Sequence, residues 1–246
     1  MHQASIGHHC PACTSNNSQK VYTPRNMPGG GVTVVMVLMA LNALAFVGQQ
    51  ASNGRLTSWG RLLGQNPFAG TGVADGEWWR VITSAFLHGS LLHIGFNMYA
   101  LWILGNSLEE GVGKLRFGLL YLAGLLGGSF AVLAFDFNVP TLGASGAVLG
   151  LAGALAAVLW ARGVSLTQTP LGFILALNLG LPILVGGISF WGHFGGIAAG
   201  FIAGWLLAWL PGRFGQSPQV ALAATVAFCA LLVVGIVTVV GAGGLL

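Results

Sequence analysis

Residues 115–135 read LRFGLLYLAGLLGGSFAVLAF and contain a single charged side chain, Arg116. About 20 mostly apolar residues in a helix span the hydrocarbon core of a bilayer, so this stretch is predicted to cross a membrane. The whole chain has a matching composition, since 55% of its 246 residues are hydrophobic and only 6% are charged. Soluble domains are about one quarter charged. The composition therefore excludes a soluble globule, a disordered chain and a disulfide scaffold, and it predicts an all-α, polytopic membrane bundle.

Further apolar stretches on both sides of this segment are also long enough to span a bilayer. The complete set of seven is 32–50, 92–108, 115–135, 145–161, 170–188, 191–210 and 219–241. The loop between the first two, residues 51–91, is unusually long and rich in Gly and Trp. A loop of this length in a compact protein is usually functional.

The basic residues predict how the spans are oriented, because cytoplasmic loops are enriched in Lys and Arg. The six basic residues on one side of the membrane are Lys20, Arg25, Lys114, Arg116, Arg162 and Arg213. The three on the other side are Arg55, Arg61 and Arg80. We therefore expect a cytoplasmic N-terminus and an outside C-terminus, in a prokaryotic plasma membrane or, as the alternative, a eukaryotic organelle. The formal net charge of +4 is too thinly spread to bind nucleic acid. A cleaved signal peptide within residues 1–50 is the competing interpretation, although the leader is long and polar for one.

Two polar residues in the predicted spans form a candidate catalytic pair. Ser145 opens the fourth span within Gly143-Ala144-Ser145-Gly146, and His193 opens the sixth. Imidazole is the usual base that activates a serine hydroxyl at neutral pH. Free N–H groups at a helix N-terminus would favour a developing oxyanion. The alternative is a capping serine and two ordinary packing faces, because each span continues with small residues four apart.

The second span begins with a further polar cluster, His88, His93 and Asn97. With the same orientation this cluster lies at the depth of Ser145 and His193, where its side chains could donate hydrogen bonds to an oxyanion. The rival hypothesis is a metal held by His88, His93 and His193. No carboxylate lies near any of the three in sequence, and HExxH does not occur.

Taken together, these motifs resemble the rhomboid family of intramembrane serine proteases. The matching residues are Gly143-x-Ser145-Gly146-x-x-x-Gly150, His193-x-x-Gly196-x-x-x-Gly200, His93-x-x-x-Asn97 with His88 before it, Trp79-Arg80, and Glu109-x-x-x-Gly113. Any one of these motifs is weak evidence, but five in the right order on the right spans are specific. They extend over most of residues 32–210.

The resemblance implies a role for each residue. Ser145 would be the nucleophile and His193 the general base of a dyad that has no acidic member and needs no cofactor. The Ser145 N–H, His88 and Asn97 would form the oxyanion hole, with His93 beside them and Gly143 in the turn. Trp79 and Arg80 would shape the first outside loop, and Glu109 would tie the end of span 2 to a neighbouring loop. Gly146, Gly150, Gly196 and Gly200 would allow close helix packing.

The resemblance also implies an organisation of the chain. We expect a cytoplasmic leader at 1–31, a six-helix protease core at 32–210 that includes the loop 51–91, and an additional transmembrane helix at 219–241. One departure is Leu149, which stands where some members have an aromatic residue stacked on the catalytic imidazole. The leader contains Cys10-Pro-Ala-Cys13, half of a zinc site that His2, His8 or His9 could complete, with a flexible tail as the alternative.

The expected function is cleavage of transmembrane proteins near the outer membrane surface, with substrates entering from the lipid bilayer. A catalytically inactive relative that binds membrane clients is the alternative, although such relatives lack the serine or the histidine. A transporter or channel is a third class, but the two halves of the chain show no internal repeat.

Overall fold

The structure is a computed structural model that describes residues 2–3, 8–9, 31–215 and 217–245, with side chains described over 31–208, at 215 and over 217–245. The chain divides into two units, Met1–Val32 and Thr33–Leu246. In the first unit, β1 (His2–Gln3) pairs antiparallel with β2 (His8–His9). Cys10 and Cys13, the predicted zinc ligands, lie outside the described residues.

The second unit is helical, which confirms the predicted all-α bundle. Its described residues form nine α-helices: α1 (Val34–Ala51), α2 (Arg55–Gly60), α3 (Arg80–Thr83), α4 (Leu91–Val112), α5 (Lys114–Phe135), α6 (Ser145–Ala161), α7 (Pro170–Leu184), α8 (Phe190–Phe214) and α9 (Pro218–Ala242). The short helices α2 and α3 lie in the long loop, and each of the other seven overlaps one predicted span.

Polar caps set where several of these helices begin. The side chains of Thr33, Ser90, Ser189 and Ser217 each accept a hydrogen bond from a backbone N–H in the first turn of α1, α4, α8 and α9. Such caps satisfy N–H groups that have no partner within the helix. The first residues of these four helices thus follow from a short polar residue placed directly before an apolar run.

Four of the described helices are long and apolar enough to cross a membrane by length and composition alone. These are α1, α5, α8 over Phe190–Ala208, and α9. Helices α6 and α7 are apolar but only 17 and 15 residues long. Helix α4 has 22 residues but includes Glu109 and Glu110. Length and composition therefore support four of the seven predicted spans.

The centre of the bundle is formed by α5, α6 and α8, which approach each other at glycines. A side chain at Gly196 would collide with the backbone of Gly146, and one at Gly200 with the backbone of Gly150. Gly124 of α5 meets Gly150 from the other side. Glycine permits this close packing of helix backbones, a common arrangement between membrane helices. By contrast, α7 buries only Leu171 and Leu175.

The loop between α1 and α4 is organised around Arg80. This side chain is buried, and its Nη1 donates to the carbonyls of Ser58 and Arg61 at 2.8 and 2.9 Å, while its Nε donates to Glu77 at 2.7 Å. The hydrogen bond from Arg80 holds the pKa of the Glu77 carboxyl below its ordinary value. The guanidinium thus joins two segments of the loop, residues 58–61 and 77–80.

The neighbouring Trp79 adds a second fastening to the loop. Its indole N–H donates to the carbonyl of Trp59 at 3.1 Å, and the two indole rings stack with centroids 5.5 Å apart. The loop is also bonded to the helical core, because Ser129 of α5 donates its hydroxyl to the carbonyl of Val81 at 3.0 Å.

Glu109, near the end of α4, contacts a different partner from the one expected. Its two carboxylate oxygens accept from the backbone N–H groups of Val34 and Val35, each at 2.9 Å. These are the first residues of α1, whose N–H groups lack helical partners and carry the positive end of the helix dipole. Glu109 therefore joins α4 to the start of a helix, and not to a loop.

Candidate active site

Ser145 is the first residue of α6, and its hydroxyl is directed towards α8. Its Oγ lies 3.0 Å from Nε2 of His193. The residue before the helix is Ala144, whose side chain cannot cap the first N–H groups of α6. The serine hydroxyl thus lies beside both a base and a helix N-terminus.

His193 lies in the first turn of α8, where the Ser189 cap positions it. The Ser189 carbonyl accepts from the His193 backbone N–H at 3.2 Å. His193 is buried, and its Nδ1 lies 2.9 Å from the backbone carbonyl of Asn178 on α7. Because a carbonyl can only accept, this contact requires the proton on Nδ1. The lone pair of Nε2 then faces the Ser145 hydroxyl.

Gly143 shapes the turn that leads into α6. Its φ of +132° lies in the region that favours glycine, and its N–H donates to the carbonyl of Ser84 at 2.9 Å. A Cβ at this position would lie 2.9 Å from Nε2 of His93. The missing side chain therefore leaves room for the His93 ring next to the serine turn.

The two histidines of the second polar cluster have different surroundings. The His93 ring lies against Gly143. The His88 ring packs edge-on against the His93 ring, with the two centroids 5.0 Å apart. His88 is 98% buried, and neither of its ring nitrogens has a hydrogen-bond partner among the described residues. Burial, together with the nearby His93, lowers the pKa of His88 to about 4, so this ring is neutral. Of the two rings, it is His93 that would contact a side chain at Gly143, although the resemblance assigns His88 to the oxyanion hole and places His93 beside it.

Asn97 lies one turn after His93 on α4 and is buried. One hydrogen of its amide is donated to the His93 carbonyl at 2.9 Å. The nitrogen of a primary amide carries two hydrogens, so a second donor remains.

Two contacts at the site involve residues outside the five sequence motifs. Gln49 of α1 hydrogen-bonds the backbone of His88, and the Asn178 carbonyl bonds His193. A glutamine near the end of a mostly apolar span is a signal that could have identified the first. The second is a backbone contact, so side-chain identity at position 178 gives no indication of it.

The metal hypothesis gains no support from the geometry. Over the described residues, no group of three or more His, Cys, Asp and Glu side chains is arranged to hold a metal ion. His193 has both ring nitrogens engaged by Asn178 and Ser145.

Comparison with known proteins gives consistent matches. Residues 75–210 match the family described as Rhomboid domain. The chain is 35% identical to Rhomboid protease GluP of Bacillus subtilis over 175 residues, which is 70% of this chain and 34% of that protein. It is 37% identical to RHOMBOID-like protein 4 of Arabidopsis thaliana over 135 residues, 53% of this chain and 34% of that protein. A match of 39% over 84 residues, 34% of this chain and 24% of the relative, is to Inactive RHOMBOID-like protein 8 of the same plant. The chain thus spans about a third of the length of the first two relatives.

Proposed function

The chain belongs to the rhomboid family of integral, multi-pass membrane proteins, and from this premise we propose that it is a serine endopeptidase that cleaves transmembrane proteins. The observation that carries the proposal is the 3.0 Å contact between Ser145 Oγ and His193 Nε2, with Nδ1 of the same ring bonded to a carbonyl. A serine hydroxyl needs a base within hydrogen-bond reach to act as a nucleophile.

In the proposed reaction, Ser145 Oγ attacks the carbonyl carbon of the scissile peptide while its proton moves to Nε2 of His193. The C=O electron pair moves to oxygen and forms a tetrahedral oxyanion. When the oxyanion collapses, the C–N bond breaks and the imidazolium gives its proton to the departing amine. Water then attacks the acyl carbon while one of its protons moves to Nε2 of His193. Collapse of this second oxyanion breaks the C–Oγ bond, and the imidazolium returns its proton to Ser145.

For the oxyanion we propose three donors: the backbone N–H of Ser145, the Nε2–H of His93 and the free amide hydrogen of Asn97. The choice of His93 is supported by its position against Gly143 and by the backbone N–H of Gly89, 3.4 Å from Nδ1. With Nδ1 accepting, the proton of the neutral ring lies on Nε2. His88, which is buried and packs edge-on against His93, would support this ring and not touch the substrate.

The proposed substrates are transmembrane segments that enter from the bilayer and unwind near the site. A substrate helix must give up internal hydrogen bonds to present an extended backbone, so residues that destabilise helices would favour cleavage.

We place the site near the outer surface of a prokaryotic plasma membrane, with the N-terminus cytoplasmic and the C-terminus outside. Residues 32–210 would form the protease core, residues 219–241 an additional helix, and Cys10 and Cys13 of the leader a zinc site that catalysis does not need.

A second candidate is an inactive relative that binds membrane clients without cutting them. The similarity to Inactive RHOMBOID-like protein 8 favours this candidate. The presence of both Ser145 and His193 at hydrogen-bond distance favours the protease.

Covalent labelling separates the two candidates. The purified protein in detergent is treated with a fluorophosphonate, and the modified residue is identified by mass spectrometry. We expect labelling of Ser145 in the wild type and in Ser165→Ala, a control that removes an exposed serine, and no labelling in Ser145→Ala or His193→Ala. Absence of labelling in the folded wild type would contradict the protease and favour the client-binding protein.

A further inference from the structure

Helix α7 contains a proline four residues after Asn178. In an α-helix the carbonyl of residue 178 would accept from the backbone N–H of residue 182. Residue 182 is Pro182, which has no N–H, and a proline ring also pushes the carbonyl of the fourth preceding residue away from the helix. The Asn178 carbonyl therefore lacks its usual helical partner.

A neighbouring helix supplies the missing donor. Nδ1 of His193 lies 2.9 Å from this carbonyl oxygen. In membrane helices, backbone groups freed by proline are satisfied by neighbouring elements, and ionisable side chains pair with backbone carbonyls. This one contact gives a hydrogen-bond donor to the Asn178 carbonyl, which has none within its helix, and an acceptor to the buried imidazole of His193.

The contact also determines how the imidazole works. With its proton held on Nδ1 by the carbonyl, His193 presents a lone pair on Nε2 to Ser145, 3.0 Å away. In the opposite tautomer Nε2 would carry a proton and could not accept one from the serine. In serine proteases with a triad, a carboxylate holds the histidine in this tautomer and orientation.

We propose that Pro182 is a positioning residue for His193: it frees the Asn178 carbonyl, and that carbonyl takes the place of the acidic member that the dyad lacks. This inference rests on the proposed protease function. The side chain of Asn178 has no part in it, because its amide donates to the Ile174 carbonyl of the same helix at 2.9 Å. A neutral carbonyl fulfils the role without burying a second charge.

The variant Pro182→Ala tests the proposal by adding a single N–H group. The new N–H competes with His193 for the Asn178 carbonyl, since it completes the ordinary helical hydrogen bond. General-base catalysis is worth about 10²–10⁴ in rate, so we expect kcat for a transmembrane reporter to fall at least about tenfold. KM should stay within about twofold of wild type, because the substrate contacts are unchanged.

Two controls distinguish the N–H from a general change in α7. Gly180→Ala also stiffens the helix, and a Cβ at this position has no atom within 4 Å; it should keep the kcat of wild type. The α-hydroxy acid analogue of alanine at position 182, introduced by nonsense suppression, lacks both the proline ring and the N–H. It should restore most of the activity lost in Pro182→Ala. A kcat as low as that of Pro182→Ala in either control would overturn the proposal.

The imidazole can also be observed directly. In protein labelled with ¹⁵N-histidine, we expect wild-type His193 to carry its proton on Nδ1 and Pro182→Ala to show a larger share of the Nε2–H tautomer. A wild type with its proton on Nε2 would overturn the proposal, even if the variant did not fold. The proposal would also be overturned if Pro182→Ala kept the kcat and the tautomer of wild type, in an assay where wild type cleaves and Ser145→Ala does not. If Ser145→Ala cleaved normally, it is the proposed dyad that would fail.

Discussion

Gln49 holds the backbone of His88 at both of its polar groups. The Gln49 Oε1 accepts from the His88 N–H at 2.8 Å, and its Nε2 donates to the His88 carbonyl at 3.3 Å. The same Nε2 donates to the Thr57 hydroxyl at 2.8 Å. The end of α1 therefore fixes where His88, and through ring packing His93, lies relative to the serine turn.

Replacing Gln49 with leucine should lower both stability and turnover. The Gln49→Leu variant leaves the buried peptide groups of His88 without side-chain partners, which costs about 1–3 kcal/mol of unfolding free energy. We expect a lower Tm and a reduced kcat in a cleavage assay. Gln50→Leu is the matched control, because this neighbour is exposed. Equal losses in both variants would mean that Gln49 has no specific role.

Replacing Gly143 with alanine should impair activity more than its cost in stability suggests. Both Gly143 and Gly163 have a positive φ, of +132° and +74°, but only at Gly143 would a Cβ meet another side chain, the ring of His93. Backbone strain costs about 1–3 kcal/mol at either site. We expect Gly143→Ala to lose most of its kcat and Gly163→Ala to keep it, at similar Tm. Normal turnover in Gly143→Ala would show that the His93 position is unimportant.

The carboxylate of Glu109 should stabilise the protein through the start of α1. Glu109→Gln removes the charge that accepts from Val34 and Val35, and we expect about 1–3 kcal/mol less unfolding free energy, measured by denaturation in detergent. The adjacent Glu110 is exposed, and Glu110→Gln should stay within about 0.5 kcal/mol of wild type. A Glu109→Gln protein as stable as Glu110→Gln would contradict this role.

The Glu77–Arg80 pair should make loop stability depend on pH in one direction. Because Arg80 lowers the pKa of Glu77 in the folded protein, the interaction stabilises the fold above the ordinary value of 4.5 and is lost as pH falls through the lowered pKa. The Tm difference between wild type and Glu77→Gln should therefore be largest near neutral pH and shrink in acid. A difference that grew on acidification would have the wrong sign.

The positions of the long helices could be predicted from hydropathy, because burial in lipid and length both leave a direct mark on the sequence. The fourth predicted span, 145–161, coincides with α6. The fifth predicted span extends to residue 188, but α7 ends at Leu184. Gly186 and Gly187 follow shortly after the end of the helix. Gly187 has a φ of +84°, a conformation that does not occur within a right-handed helix. Hydropathy does not distinguish such a turn from the apolar helix before it.

Contacts between distant segments were harder to predict. Which histidine lies against Gly143 depends on contacts between distant segments, such as Gln49 with the His88 backbone, and motif spacing does not contain that information. The partner of Glu109 lies 74 to 75 residues away. The Asn178 carbonyl acts through the backbone, so only the proline four residues later indicates that it is free.

Cleavage of a transmembrane reporter in liposomes by wild type and Ser145→Ala is the most direct test of the Ser145–His193 dyad. The exchange removes one hydroxyl and one hydrogen bond. The unfolding free energy should therefore change by about 1 kcal/mol or less, and Tm should change little. We predict that wild type cleaves with or without EDTA, and that Ser145→Ala gives no more than about one hundredth of the wild-type rate. Cleavage by Ser145→Ala near the wild-type rate, or wild-type cleavage that EDTA abolishes and zinc restores, would contradict a serine nucleophile.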